Sequence, residues 1–191
     1  MIPPETQLAQ AGLALTGASV KLSAYGPHWL HDSPLLEDFT PEEADTVGAC
    51  MLGARARAGQ VLVGEGEVGD WMLVVLSGTV DVTRRIGEGD EVARLAVIRA
   101  GAAVGEMSML DGEPRYASCT AIDAVEFAVL TRQAVAALIK DHPGVGAKLL
   151  VKITQLLAQR LRNTTQQLTR VLDQQSGRGG DPGAEPPPAR T

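Results

Sequence analysis

Residues 61–82 read VLVGEGEVGDWMLVVLSGTVDV, and this stretch decides the fold class. Its short apolar runs alternate with glycine-bearing turns, a pattern typical of β-strands and too closely spaced for helices. The same pattern continues through most of residues 55–131. It predicts strands at 61–63, 71–76, 79–82, 92–98 and 125–130. Strands at this regular spacing favour a closed antiparallel roll or sandwich over alternating βαβ units.

Helical patterns flank the predicted strands on both sides. Thr40, followed by a proline and two glutamates, is a predicted N-cap, and that helix is expected to end at Gly53. Thr131 is the predicted N-cap of a helix that stops at His142, before a proline. A longer helix is predicted from about 145 to 175. The fold class is therefore α+β: an antiparallel β-roll, a jelly-roll-like barrel, flanked by an N-terminal helix and C-terminal helices, the last one long.

Composition divides the chain into four segments. Residues 1–34 form an N-terminal arm that is expected to be poorly ordered or to hold a short helix. Residues 35–145 hold the roll with its flanking helices, and residues 146–175 hold the long helix. Residues 176–191 are rich in glycine and proline and are expected to be a disordered tail.

Charge and composition exclude several function classes. The 191 residues include 17 Lys and Arg against 23 Asp and Glu, a net charge of −6, so no chain-wide footprint for nucleic acid is expected. Cys50 and Cys119 cannot form a disulfide framework and lack the spacing of a zinc site. No apolar run approaches the roughly 20 residues that span a bilayer. We expect a cytoplasmic protein without a cofactor or metal, away from membranes.

No catalytic motif is visible in the sequence. It holds no GxSxG elbow, no HExxH pair and no paired acids beside a plausible nucleophile. The segment Gly64–Gly69 matches the dinucleotide-binding pattern GxGxxG, but the apolar run after it predicts a strand where that pattern requires a helix. A tight hairpin connection explains these glycines better. The sequence therefore predicts no enzyme.

Residues 101–119, GAAVGEMSMLDGEPRYASC, carry the strongest functional signal. A glycine turn leads into a short segment, 106–110, able to form one helical turn, and a Pro-Arg step then enters a strand. Such a turn aims several backbone N–H groups at one point and favours an anion. Arg115 adds a planar, two-pronged donor that suits a phosphate, and Glu106 can accept a hydrogen bond from a sugar hydroxyl. Together they predict a pocket for a small phosphate ester that carries ribose.

This segment resembles the phosphate-binding cassette of cyclic nucleotide-binding domains. That family includes the catabolite activator protein, the regulatory subunits of cyclic-AMP-dependent kinase and cyclic-nucleotide-gated channels. Residues 59–66, 69–70 and 76–82 resemble the first half of the family's roll, and the similarity covers about residues 35–168. The resemblance implies a cyclic nucleotide sensor, for cyclic AMP in preference to cyclic GMP. It would act on a partner protein through a conformational change of its C-terminal helices.

The resemblance also implies roles for single residues. Glu106 would bind the ribose 2′-hydroxyl and Arg115 the cyclic phosphate. The remaining implied contacts are close backbone approach at Gly105, backbone N–H groups of Met107, Ser108 and Ala117, and base contacts from Thr164 and Thr165 on the long helix. The sequence departs from the family at Tyr116, where Ser, Thr or Ala is common, so this ring either points out of the pocket or lies against the base.

Two alternatives stay open for the function. Tyr116 could fill the pocket of a degenerate fold that serves as a ligand-free dimeric scaffold, or the ligand could be a cyclic dinucleotide. The long helix carries an approximate heptad stripe: Leu150, Ile153, Leu157, Leu161, Thr164, Leu168 and Val171. This stripe could pack on its own domain or form a two-stranded coiled coil, and a homodimer is the working model. Few residues follow Leu172, so no direct DNA binding is expected, and the downstream protein is unknown.

Overall fold

The computed structural model describes residues 3–87 and 91–178. Its helices are α1 (Pro4–Gln10), a 3-10 helix (Leu22–Tyr25), α2 (Pro27–Asp32), α3 (Pro41–Gly48), α4 (Glu106–Asp111), α5 (Arg132–Asp141) and α6 (Pro143–Arg178). Its strands are β1 (Ala14–Gly17), β2 (Leu52–Ala56), β3 (Val61–Val63), β4 (Trp71–Ser77), β5 (Thr79–Arg85), β6 (Val92–Arg99), β7 (Ala103–Val104), β8 (Ser118–Ala121) and β9 (Val125–Thr131). This arrangement confirms the predicted α+β fold class.

The strands of the described residues form two antiparallel sheets. One sheet has the order β1-β2-β9-β4-β7 and the other the order β3-β8-β5-β6. Every pair of neighbouring strands is antiparallel. Strand β4 is buried from Trp71 to Leu76, since it lies between β9 and β7 in the middle of the fold. The core cluster is apolar and includes Leu73, Val75 and Phe127, all fully buried.

The N-terminal segment contains more regular structure than its composition predicts. Strand β1 pairs with β2, and α1 precedes it. Leu8 of α1 and Leu13 are buried within the core cluster of the roll. Sequence periodicity misses this segment because it depends on two isolated leucines among small residues. The N-terminal segment is therefore part of the folded core.

The ends of the predicted helices agree with the structure at two caps and differ at one. Thr40 accepts a hydrogen bond from Glu43 N–H and forms a capping box, and Thr131 accepts one from Ala134 N–H. The predicted end at Gly53 is wrong, because α3 ends at Gly48. Gly53 lies buried in β2, where a Cβ would come within 2.5 Å of Thr16 Oγ1.

The chain forms two compact units, Met1–Thr154 and Gln155–Thr191. The first unit holds the roll and the beginning of α6, while the described part of the second unit is helical throughout.

Lys152 is 4% exposed in the first unit, and its ammonium lies 2.7 Å from a Glu37 oxygen. It also lies 2.5 Å from an Asp38 oxygen. These hydrogen bonds outweigh burial and raise the pKa of Lys152. The expected tail at 176–191 lies almost wholly outside the described residues.

The Thr131 cap yields a stability prediction. Thr131→Ala removes the side-chain acceptor for the Ala134 N–H, so the free energy of unfolding should fall by about 1 kcal/mol. Thr131→Ser keeps a hydroxyl and should lose much less. Urea unfolding of the two variants measures the difference. Equal losses would show that the hydroxyl does not cap α5.

Candidate functional site

The predicted cassette forms one loop between β7 and β8. Gly105 has a φ of +89°, in the left-handed region, and begins α4. Gly112 has a φ of +80° and ends this helix. The two glycines allow the chain to turn sharply on both sides of α4. The helix covers 106–111, one residue more than the predicted turn.

The loop holds Arg115 in a buried position. The side chain is 4% exposed, and its Nη1 donates a hydrogen bond to the Gly105 carbonyl at 3.0 Å. Its Nη2 is also buried and finds no hydrogen-bond partner within the described part of the chain. The guanidinium lies over the Trp71 ring, with Cζ 4.4 Å from the ring centroid. Trp71 therefore holds one face of the Arg115 guanidinium, and the Gly105 carbonyl holds its Nη1 edge. The Nη2 group keeps N–H donors without an acceptor in the described residues.

Two glycines leave the space that this guanidinium occupies. A Cβ at Gly69 would come within 2.8 Å of Arg115 Nη2, and a Cβ at Gly105 within 2.7 Å of Nη1. Both distances are shorter than real Cβ contacts allow. Any other residue at either position would displace Arg115. The position of the buried Arg115 guanidinium therefore requires glycine at both sites.

The GxGxxG segment has a structural role beside Arg115. Glu67 accepts a hydrogen bond from Gly64 N–H through its side chain, at 3.0 Å. The Arg115 N–H donates to the Glu67 carbonyl at 2.8 Å, and the Gly66 N–H donates to the Arg115 carbonyl at 2.9 Å. A strand, β4, follows the segment where a dinucleotide-binding motif would need a helix. The segment is a turn that clamps the Arg115 backbone.

The buried charge of Arg115 is the feature that favours an anion at Nη2. Burial holds the pKa of Arg115 below its usual value, and the neighbouring acids, including Glu67, Asp70 and Glu106, oppose this effect only in part. Because an arginine titrates far above neutral pH, the group stays positively charged. A buried, charged donor without a hydrogen-bond acceptor is costly and gains stability when an anionic oxygen binds it. Arg115 is thus suited to bind a phosphate.

Glu106 begins α4 and follows Gly105, whose carbonyl accepts the hydrogen bond from Arg115. The Glu106 side chain is fully buried. Met107 and Ser108 follow in the first helical turn, where backbone N–H groups have no partner within the helix. One short loop therefore brings together the predicted residues Gly105, Glu106, Met107, Ser108, Arg115, Tyr116 and Ala117.

Tyr116 lies outside this buried group. Its side chain is 56% exposed, and its ring contacts Arg84 of β5, whose Cζ lies 3.7 Å from the ring centroid. Trp71 is the ring that lies beside Arg115, whereas the phenol ring of Tyr116 lies against Arg84. The ring therefore points away from Arg115, and a contact between it and a base stays a prediction.

Thr164 and Thr165 lie exposed on α6, in the second compact unit. Thr165 Oγ1 donates a hydrogen bond to the Leu161 carbonyl, 2.9 Å away, one turn earlier in the helix. The threonines are thus on the long helix, as predicted. Their contact with a base stays a prediction.

Sequence reasoning missed three residues that support the loop. One is Trp71, and another is Gln7, whose Oε1 accepts a hydrogen bond from Trp71 Nε1 at 2.8 Å and which lies in the segment expected to be an arm. Arg132 donates through Nε to the Met109 carbonyl at 2.5 Å and through Nη2 to the Ser108 carbonyl at 3.3 Å. No local motif marks these residues because their partners lie 23 to 64 positions away.

Other site types find no support in the described ranges, 3–87 and 91–178. No group of three or more His, Cys, Asp or Glu side chains there could hold a metal ion. In the same ranges, no helix is both long enough and apolar enough to cross a membrane.

Comparison with known proteins agrees with this geometry. The family model described as cyclic nucleotide-binding domain matches residues 54–142, which include the whole loop. The solved structure of a cyclic nucleotide-binding domain from Methylobacillus flagellatus KT is 33% identical, with a TM-score of 0.71. The match covers 83% of this chain and 88% of that one. The chain belongs to the cyclic nucleotide-binding domain family.

Relatives in this family differ in their overall construction. A "CRP-like cAMP-activated global transcriptional regulator" of Mycobacterium tuberculosis is 33% identical over 114 residues, which are 60% of this chain and 49% of the regulator. The "cGMP-dependent protein kinase egl-4" of Caenorhabditis elegans is 38% identical over 97 residues, 51% of this chain and 12% of the kinase. The chain thus spans about half the length of the mycobacterial regulator. In both relatives, the matched region is one part of a longer protein.

The glycine at the start of α4 gives a second prediction. Gly105→Ala forces a side chain into left-handed backbone and against Arg115, so it should reduce the free energy of unfolding by more than 2 kcal/mol. Gly112→Ala is the matched control, because its φ is +80° but its Cβ would lie 3.5 Å from the nearest atom, on Arg132. It should cost about 1 to 2 kcal/mol. If chemical denaturation gives equal losses, close packing of Arg115 against Gly105 is excluded.

Proposed function

We propose that this chain is a cyclic nucleotide sensor that binds cyclic AMP in preference to cyclic GMP and regulates a partner protein. The observation that carries the proposal is the buried Arg115 guanidinium, whose Nη2 has no acceptor in the described residues and whose Nη1 donates to Gly105, the residue before Glu106. In this role Nη2 donates to an exocyclic oxygen of the cyclic phosphate. Backbone N–H groups of Met107, Ser108 and Ala117 supply the remaining donors.

Glu106 is the residue proposed to recognise the ribose. A carboxylate accepts hydrogen bonds only, so it matches the 2′-hydroxyl of a ribose as donor. The same negative charge would repel a phosphate ester placed at that hydroxyl. The Glu106–Arg115 pair therefore favours a ligand with its phosphate at Arg115 and a free 2′-hydroxyl at Glu106.

The proposed base preference is for adenine. Thr164 and Thr165 are the proposed base contacts, from the long helix. Tyr116 replaces the threonine that the family resemblance associates with guanine preference, and its ring lies against Arg84. The mycobacterial relative, named as activated by cyclic AMP, aligns over more residues than the kinase named for cyclic GMP. Cyclic AMP is the ligand that these observations favour.

The proposed output is regulatory and not catalytic. Arg132, the first residue of α5, holds two carbonyls at the end of α4. A ligand that orders α4 would therefore shift the equilibrium position of α5 and of the helix that follows it. A partner protein in the cytoplasm would recognise the changed surface. The scaffold alternative loses its main argument, because Trp71 and not Tyr116 lies on Arg115.

A ligand-dependent thermal shift tests the nucleotide proposal. At about 100 times its Kd, a ligand that binds only the folded state adds about 2.7 kcal/mol, or roughly 5–10 °C in Tm for a chain of this size. Cyclic AMP should give such a shift, cyclic GMP a smaller one and cyclic dinucleotides none. Arg115→Ala should remove the shift, while Arg99→Ala, an exposed arginine of β6, should keep it.

The pattern of thermal shifts distinguishes the base preference, the ligand class and the ligand-free scaffold. A larger shift with cyclic GMP would contradict the base preference only. A shift with a cyclic dinucleotide alone would favour the alternative ligand. If no nucleotide gives a shift at millimolar concentration, the sensor proposal is contradicted and the ligand-free scaffold is favoured.

We also propose that the chain forms a homodimer through α6. Leu161 is 69% exposed, Leu168 58% and Val171 49%, and they share the heptad stripe predicted from the sequence. An apolar stripe of this kind is typical of a two-stranded coiled coil. A second copy of the chain offers the same stripe and can cover it.

The dimer proposal predicts a change in oligomeric state. Leu161→Asp combined with Leu168→Asp places two charges in the stripe and should convert a dimer to a monomer in sedimentation velocity. Gln166→Asp, off the stripe on the same helix, is the control and should stay dimeric. A monomeric wild-type chain at 100 µM, roughly the highest concentration such runs use, would overturn the proposal.

A further inference from the structure

Trp71 occupies an unusual place for a core residue, since its ring face lies against a cation. The residue begins β4, is 3% exposed and pairs with Thr131 across the sheet. Its indole therefore has little freedom to move. The Arg115 guanidinium rests on this ring at 4.4 Å. We propose that Trp71 is a positioning residue for Arg115, and that Gln7 of the N-terminal helix fixes the orientation of Trp71. This inference rests on the proposed function.

Stacking determines the direction in which Arg115 can donate. A guanidinium is planar, with its five N–H donors in the plane. When one face lies on an aromatic ring, the donors point along the ring surface, away from the ring itself. The Gly105 carbonyl accepts from one edge of the group, at Nη1. Nη2 is then held in one direction by the ring beside the group and by the hydrogen bond at Nη1.

The indole N–H is the link to the N-terminal helix. A buried indole N–H needs an acceptor, and Gln7 Oε1 supplies it at 2.8 Å. Gln7 Nε2 also donates to the Val68 carbonyl at 3.4 Å, in the turn that clamps the Arg115 backbone. Leu8, the next residue, is 1% exposed and anchors the helix in the core cluster. The amide of Gln7 is thereby held on the indole edge.

Gly69 shows that the three side chains meet at one point. A Cβ at this glycine would lie 2.8 Å from Arg115 Nη2, 3.0 Å from Trp71 Nε1 and 3.4 Å from Gln7 Oε1. The donor that is proposed to bind phosphate is therefore adjacent to the Gln7–Trp71 hydrogen bond. A rotation of the indole that breaks this hydrogen bond would also move the face beneath the guanidinium. The N-terminal helix thus contributes to the phosphate site without touching the phosphate.

The test measures cyclic AMP affinity by calorimetry in the full chain. Trp71→Leu removes the aromatic face and should weaken binding about 10-fold. Trp71→Phe keeps a face and should weaken it less than threefold. Urea unfolding of both variants, measured in parallel, separates affinity from stability. A purely structural Trp71 predicts equal affinity for the two variants once each is fully folded, and that result would overturn the proposal.

A double-mutant cycle tests the role of Gln7. Gln7→Ala should weaken cyclic AMP binding about fivefold in the wild-type background, because the indole loses its acceptor. It should have no effect in the Trp71→Phe background, where the ring has no N–H. Gln10→Ala, exposed on the same helix, is the control and should bind like wild type. Equal effects of Gln7→Ala in both backgrounds would show that Gln7 acts elsewhere.

The two cyclic AMP phosphorothioates supply a readout that stability cannot mimic. They differ only in which exocyclic oxygen is replaced by sulfur, so a well-oriented donor distinguishes them. Trp71→Leu should bring the ratio of their Kd values nearer to one, and Trp71→Phe should preserve the ratio. An unchanged ratio in Trp71→Leu would contradict positioning. If the wild-type chain binds no cyclic nucleotide, the proposed function fails and this inference fails with it. Binding without these variant effects overturns the inference alone.

Discussion

The site depends on the contact between the buried Arg115 guanidinium and the face of Trp71. Removing a cation from water is costly, and only groups that are held in place can offset that cost. Here the ring, the Gly105 carbonyl and the nearby acids supply the stabilisation. Gly69 and Gly105 lack side chains where that cation needs space. The Nη2 group keeps N–H donors without an acceptor in the described residues, and the proposed phosphate would offset this remaining cost.

The paired ends of β4 and β9 link the proposed ligand site to helix α5. Trp71 pairs with Thr131 across β4 and β9, and Thr131 caps α5. The Arg132 N–H donates to the Asp70 carbonyl at 2.8 Å, while its side chain holds the end of α4. The ring beneath Arg115 and the first residues of α5 are therefore neighbours. A ligand at Arg115 can influence α5 through contacts that are already present.

The sequence predicted what depends on local pattern, including the main strands, the caps at Thr40 and Thr131 and the cassette around Arg115. Sequence patterns do not predict features that depend on contacts between residues far apart in the chain. A glycine after an apolar helical face is typical of a helix end, so the sequence predicts an end at Gly53. In the structure Gly53 lies in β2, where a side chain would collide with Thr16. Gln7 could not be predicted, because its partner lies 64 residues away. The orientation of Tyr116 likewise depends on β5, which the local motif does not contain.

A crystal structure of the chain with cyclic AMP is the most direct test of this account. The predicted result is an exocyclic phosphate oxygen at about 2.7–3.2 Å from Arg115 Nη2, with the guanidinium still on Trp71 and the ribose 2′-hydroxyl at Glu106. A nucleotide bound away from this loop would contradict the account. A phosphate bound by an Arg115 that has left Trp71 would contradict the central role of the stack.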